Sequence, residues 1–244
     1  ALGSSPYLLM EMGKSEEDLA AKAAAFAATL PDDAWVVTQG WRDYRWDPPV
    51  HPTRRSLDAV LPDRPCAMYS GDGHTLWLNT RALELLGVTR DTEPPAGGSF
   101  DYDEDGELTG VAHEAAAMQL LPRCLEWMGE GRIRDAYRAQ MARMAELGIT
   151  SICDMSLMPM PGCDFIRDDI YEALEAAGQL TLRAHLFPTL LDDQARLEAM
   201  QERYRTSDLL RAPGFKQFFD GVSSEHTAYL TEPYSNPRFP GDRG

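Results

Sequence analysis

The sequence has four cysteines, no long apolar run and no cluster of Lys or Arg, and each shortage removes a class of protein. Cys66, Cys124, Cys153 and Cys163 are irregularly spaced with no C-x-x-C, which argues against a disulfide framework and against a structural zinc knuckle. Reduced thiols in a cytoplasmic protein are the simpler reading. No stretch approaches a membrane span, and Ala1 to Met10 lack the basic start and cleavage site of a signal peptide. A net charge of -16, from 39 acidic and 23 basic side chains, repels phosphate backbones and anionic lipid surfaces. Nucleic-acid and membrane partners are thereby disfavoured. No G-x-G-x-x-G or P-loop follows a strand-like segment, which removes the commonest nucleotide-binding folds, and the lack of a G-x-S-x-G elbow weakens a serine-hydrolase reading. Neither H-x-H nor H-E-x-x-H occurs, so these 244 residues alone do not specify a metal centre.

What is present suits a globular protein, since 43% hydrophobic and 25% charged residues can build a sizeable core. Ser15-Glu16-Glu17-Asp18 reads as a capping box, and Leu19, Ala23, Phe26, Ala27 and Leu30 recur at helical spacing up to Pro31. Trp35 to Trp41 reads as a strand, after which a Pro- and Asp-rich stretch from Asp43 to Val50 breaks the layering. Between Trp41 and Arg123 the pattern is mixed. It predicts a short helix from Thr53, a strand at Cys66-Ala67-Met68-Tyr69, a helix near Ala82 to Leu86 and a loop from Glu93 to Glu107. In that loop Asp101, Asp103 and Asp105 alternate ahead of Gly106 like a calcium loop, but the terminal Glu would fall at Ala112. A hairpin turn at Asp105-Gly106 is the expectation instead.

From Ile133 helix and strand alternate at regular intervals. A helix through Ile133, Tyr137, Met141 and Met144 ends at Gly148 and precedes a strand from Thr150 to Met155. A helix through Ile166, Ile170 and Leu174 ends at Gly178 and precedes a strand from Leu182 to Phe187; a third, through Leu197, Met200 and Tyr204, precedes Phe215 to Asp220. Such units predict an α/β protein with a parallel sheet, either a (β/α)8 barrel or a doubly wound fold.

Lys216 is the most informative residue, because an ammonium inside an apolar strand is costly without a partner. Strand period places Lys216, Phe218 and Asp220 on one face, near the end where barrel enzymes keep their chemistry. A structural Lys–Asp pair, or a lysine reaching water from the strand mouth, explains the same residues. His74 sits on a tight Asp72-Gly73-His74 turn, where a histidine can be a ligand, a proton shuttle, a substrate contact or simply solvated. His113 and Glu114 are adjacent, so their side chains diverge and form no chelate by themselves. His185 faces the barrel core or the helix layer, and His51 and His226 lie in loop-like context.

The order of motifs is more specific than any one of them. Trp35-Val36-Val37 to Gly40-Trp41, Pro52-Thr53-Arg54 to Leu57-Asp58, Pro62-Asp63-Arg64-Pro65, Asp72-Gly73-His74, Trp77-Leu78-Asn79 and Thr109-Gly110-Val111 to Glu114 follow one another. Leu147-Gly148-Ile149-Thr150-Ser151 to Asp154-Met155, Phe215-Lys216 to Phe219-Asp220-Gly221, Thr227-Ala228 and Glu232-Pro233-Tyr234 continue the succession. The whole resembles the YtcJ-like metal-dependent hydrolases of amidohydrolase family 3. The resemblance implies a (β/α)8 barrel of the TIM type with a mixed α+β insertion. Residues 1–40 would begin the barrel region, 41–123 form the insertion and 124–244 supply βα units ending after the lysine strand.

It further implies one or two divalent ions, zinc by preference, held by a first-strand H-x-H pair, a strand lysine, two later histidines and a late aspartate. Lys216 matches the lysine, commonly carboxylated to a bridging carbamate, an anionic oxygen ligand that would resolve its burial. A metal-activated water would hydrolyse an amide-like or cyclic amide C–N bond of a small molecule. His74 would face the substrate, Trp41 wall the pocket, and Asp154 and Asp220 contribute from strand ends or only tie down loops.

Both ends read as cuts, without an initiator Met and with a turn-like Pro240-Gly241-Asp242-Arg243-Gly244, so the chain reads as an internal fragment. The remaining ligands would lie outside it, and alone it is expected to be inactive and prone to aggregate through unpaired strand edges. Two other readings stay open: a non-catalytic small-molecule-binding barrel, and a glycosidase using paired carboxylates. A homodimer is an open assembly state.

Overall fold

The structure, a computed structural model, describes residues 7–155, 166–190, 194–217, 219–221, 223 and 226–244. The chain divides into two compact units, one running to Thr150 and including Ala173–Leu182, the other made of Ser151–Glu172 and Arg183–Gly244. No helix among the described residues is long and apolar enough to cross a membrane.

The first unit opens with β1 (Leu8–Met10), α1 (Glu16–Ala27), β2 (Val36–Trp41), α2 (Arg54–Val60) and β3 (Cys66–Ser70). It continues with β4 (Thr75–Leu78), α3 (Thr80–Leu86), β5 (Gly98–Tyr102), β6 (Leu108–Glu114), α4 (Ala115–Leu125) and α5 (Gly129–Glu146). α1 starts as its sequence predicts, with the Ser15 hydroxyl accepting the Asp18 N–H at 3.2 Å. The reciprocal bond is displaced by one residue, since the Asp18 carboxylate accepts from the Lys14 N–H at 2.9 Å.

The strands form a six-stranded sheet in the order β1-β2-β3-β4-β6-β5. The β1–β2 and β2–β3 pairs are parallel, and the remaining three pairs are antiparallel. Residues 40 and 41 therefore fall inside β2, so the regions assigned to 1–40 and 41–123 share one sheet. Likewise residue 123 lies within α4.

Alternation sends Val36, Met68, Trp77 and Val111 to one face, where Leu19 and Ala23 of α1 and Leu57 of α2 cover them. Ala67, Leu76, Leu78 and Ala112 go to the other, under Leu83 and Leu86 of α3 and Ala116 and Leu120 of α4. Burial on both faces explains why Cys66-Ala67-Met68 and Leu76-Trp77-Leu78 read as unbroken apolar runs. The predicted turn joins β5 to β6: the Asp103 carboxylate accepts the N–H groups of Asp105 and Glu107, and the Gly106 N–H donates to the Asp103 carbonyl.

Two motifs have structural causes here. Buried Asn79 caps α3 by accepting the Ala82 N–H at 2.9 Å, accepts the Cys66 N–H at 3.0 Å, and donates to the carbonyls of Leu61 and Arg64 at 2.8 Å each. Gly110 has φ +98°, and a Cβ there would lie 2.3 Å from the Leu78 carbonyl oxygen, so no larger residue fits.

The second unit holds β7 (Ser151–Asp154), β8 (Arg183–Leu186), α7 (Ala195–Arg203) and β9 (Leu210–Arg211). α6 (Asp168–Ala176) begins in it. Three parallel strands lie in the order β7-β8-β9, as the helix–strand alternation predicts. Ile170, Tyr171, Ala184, Leu186, Met200 and Leu210 are buried.

One expected strand does not form among the described residues. Among the described residues of Phe215–Asp220 only Lys216 pairs, through an isolated parallel bridge to Thr189, while Phe219 and Asp220 lie in a bend. The third strand is β9, just before Pro213, which lacks the N–H a longer ladder would need. Phe218 and Cys163 lie outside the described residues.

Candidate functional site

In the first unit polar side chains gather where the β3–β4 hairpin turns. The Ser70 hydroxyl donates to Asp72 Oδ1 at 2.6 Å and accepts the N–H groups of His74 and Thr75 at 3.2 and 2.9 Å. Asp72 Oδ1 also accepts the His74 N–H at 3.1 Å, and the Tyr69 hydroxyl donates to the Gly73 carbonyl. Burial first, then the carboxylates of Asp72 and Glu114, pushes the Tyr69 phenol up to about 12, so it stays a donor. The turn is thus tied internally before its histidine makes any longer contact.

His74 then reaches across the sheet, with Nδ1 2.9 Å from Glu114 Oε2; their side chains are 15% and 31% exposed. The Glu114 N–H donates to the His74 carbonyl at 2.7 Å. One residue earlier, His113 Nε2 lies 2.9 Å from Asp101 Oδ2 and its Nδ1 3.4 Å from the Thr75 hydroxyl. The divergence expected for adjacent His113 and Glu114 is realised as two separate histidine–carboxylate pairs. Glu114 escaped sequence reasoning as a partner because it lies 40 residues from His74. The family motif ending at Glu114 was the available signal.

Trp41 lies in the core, only 4% exposed. Its indole N–H donates to the Met68 carbonyl at 2.9 Å, and its ring centroid is 6.0 Å from Trp46 and 6.2 Å from Trp77. It meets the hairpin through its main chain, where its carbonyl accepts the Gly71 N–H at 2.8 Å.

Lys216, Asp154 and Asp220 belong to the second unit. The Lys216 N–H donates to the Pro188 carbonyl at 2.9 Å and its carbonyl accepts the Leu190 N–H at 3.1 Å. This seats the half-buried lysine just beyond the C-terminal end of β8. Asp154 ends β7 at the same end of the sheet and accepts a hydrogen bond from the Tyr171 hydroxyl at 2.9 Å. Exposed Asp220 does not share a strand face with Lys216: it accepts the Tyr229 N–H at 3.0 Å and so ties down a loop.

A further pair was hidden in the sequence. His226 Nδ1 lies 2.6 Å from Asp242 Oδ2, the side chains being 7% and 2% exposed, and the Tyr234 ring stacks on the imidazole at 4.1 Å. The N–H groups of Arg238 and Gly244 also donate to this carboxylate. The Arg238 N–H first, and then His226, hold the Asp242 carboxyl below the usual carboxylate range. Among the described residues no three His, Cys, Asp or Glu side chains are grouped to hold a metal ion.

Helices over one mixed and one parallel sheet define an α/β protein. The structure resembles an uncharacterized metal-dependent hydrolase from Pyrococcus horikoshii OT3, with TM-score 0.64 and 23% identity over 99% of this chain and 45% of that one. The model of the amidohydrolase family matches residues 8–243, and the chain belongs to that family. It is 27% identical over 209 residues to a putative amidohydrolase, YtcJ, of Bacillus subtilis, covering 85% of this chain and 38% of that protein. It is 28% identical over 154 residues to an N-substituted formamide deformylase of Arthrobacter pascens, covering 62% of this chain and 27% of that protein. The chain therefore spans well under half the length of these curated relatives.

Proposed function

We propose that the whole protein is a metal-dependent hydrolase, built on a (β/α)8 barrel, that cleaves a carbon–nitrogen bond of a small molecule. One observation carries this reading: Lys216 is hydrogen-bonded to the segment that follows parallel β8 at its C-terminal end, the same end of the sheet at which β7 carries Asp154. That is the end at which βα sheets place their chemistry. The name of the Arthrobacter relative, an N-substituted formamide deformylase, supports an amide-like C–N bond as the target. Free thiols at Cys66, Cys124 and Cys153 support a reducing compartment such as the cytoplasm.

The described residues of this chain do not by themselves fit a metal ion, since no ligand group forms among them. Lys216 is the single donor we assign to it, as a carbamate. A divalent ion held with its help, zinc in this reading, would supply Lewis acidity and acidify a water. The chain's own contribution is positional, within each unit by itself: Lys216 is set by its main-chain bonds to Pro188 and Leu190, and His74 by a turn sewn by Ser70, Asp72 and Tyr69.

The test is metal analysis of the whole protein with and without Lys216→Ala, alongside hydrolysis of N-substituted formamides and cyclic amides before and after chelation. Bound metal that Lys216→Ala removes, and hydrolysis that chelation abolishes, are expected. Hydrolysis that survives complete chelation would defeat the proposal.

A further inference from the structure

We propose that Glu114 is the positioning residue for His74, fixing where the imidazole sits, how it is turned and which ring nitrogen is basic. The inference rests on the reading of His74 as a substrate-facing residue and goes beyond it to the device that sets its chemistry.

β6 passes into α4 with no loop between them, and the chain reverses at Glu114 itself, with φ 50° and ψ -123°. A side chain bearing a Cβ adopts that conformation rarely, and glycine is the economical choice. Nor is Glu114 spent on its helix. It occupies the position before the first turn of α4, yet its carboxylate makes no capping hydrogen bond. A residue that neither suits the backbone nor caps the helix is retained for what its side chain reaches, and that is His74 Nδ1 at 2.9 Å.

The surroundings hold this reversal in place. Gly98 pairs with Glu114 across the ladder, and a Cβ on Gly98 would lie 2.4 Å from the Ala116 nitrogen, so β5 packs against the turn without spare space. Glu114 grips His74 twice, by its N–H on the His74 carbonyl at 2.7 Å and by its carboxylate on the ring. The first contact places the Cα and the second sets the ring rotation. An ionised carboxylate has no proton to give, so Nδ1 carries it and Nε2 becomes the basic nitrogen. With the Asp72 carboxylate on the His74 main-chain N–H and the Glu114 carboxylate on the ring, a neutral or cationic N–H group, such as an amide N–H, suits this imidazole better than a carboxylate.

The experiment is long-range proton–nitrogen NMR of the imidazoles in the whole protein, with the His74 signals assigned by their loss in His74→Asn. The unsubstituted protein is expected to show His74 with its proton on Nδ1. Glu114→Gln, whose amide can donate or accept, is expected to give a mixture of tautomers. Glu114→Gly is expected to raise the melting temperature, by relieving the backbone, while losing the same tautomer lock. A His74 tautomer unchanged in both variants overturns the proposal. In the whole protein, Glu114→Gln is expected to lower kcat/KM roughly tenfold, as loss of an imidazole's outer partner does. If His74→Asn impairs turnover and Glu114→Gln does not, the positioning role falls. If His74→Asn leaves turnover unchanged, the reading of His74 as substrate-facing falls, and the role built on it falls too.

Discussion

The hairpin end of the first unit and the lysine end of the second hold their candidate residues in opposite ways. Around His74 the side chains do the holding: Ser70, Asp72, Tyr69 and Glu114 each bond the turn or the ring, on strands buried from both faces. Around Lys216 the described holding is done by the main chain, through an N–H to Pro188 and a carbonyl to Leu190. A side chain fixed by other side chains is set in orientation before any ligand arrives. A residue fixed through its backbone is set in place at its Cα.

Four substitutions bear on this contrast, the largest effect first. Trp77→Ala, in the fully buried layer beneath the hairpin, should cost about 3–5 kcal/mol in chemical denaturation. A cost near zero would mean that the first unit does not owe its rigidity to that core. Lys216→Ala should lower turnover of the whole protein by more than the roughly 100-fold upper end for outer partners. A loss of less than roughly tenfold would erase the contrast.

Asn79→Ala removes the amide that serves four main-chain groups and should cost about 1–3 kcal/mol in denaturation, with Asn79→Asp no rescue because the carboxylate cannot donate to Leu61 and Arg64. The smallest effect concerns acid. Asp242 has its folded pKa depressed below the unfolded value by the Arg238 N–H and by His226, so its contribution is present above the ordinary Asp value of about 4. It is lost as pH falls through the depressed folded value. Protection of the Arg238 and Gly244 amides, their exchange measured against the intrinsic rate at each pH, should therefore fall below about pH 4. Asp242→Asn should remove that dependence; protection that stays constant with pH in the unsubstituted protein would contradict it.

Periodicity made much of the scaffold legible. Ser15 and Pro31 bracketed α1, the apolar run at Cys66 marked β3, and Asp105-Gly106 marked the β5–β6 turn. Helix–strand alternation after Ile133 foretold parallel pairing of β7 and β8. The loop expected from Glu93 to Glu107 contains β5, whose Gly and Asp residues hide a strand, and a second error came where period carries no information. A two-residue strand such as β9 has none, while Phe215 to Asp220 alternates well enough to imitate a strand that Lys216 alone begins.

The sites were legible as single residues and not as pairs. His74 stood out by its turn, but Glu114, 40 residues away, is joined to it by strand register, which a lone sequence does not reveal. His226 and Asp242 were obscured for the same reason, 16 residues apart in a stretch without repeating pattern.

The turn between β5 and β6 carries one practical consequence. Glu104 and Asp105 are exposed, and the bonds made by Asp103 close the turn at its base. Such a tip is where a chain tolerates being spliced. A fluorescent domain or affinity handle inserted between Glu104 and Asp105 would stand clear of the hairpin that carries His74, making this turn a place to label or immobilise the protein.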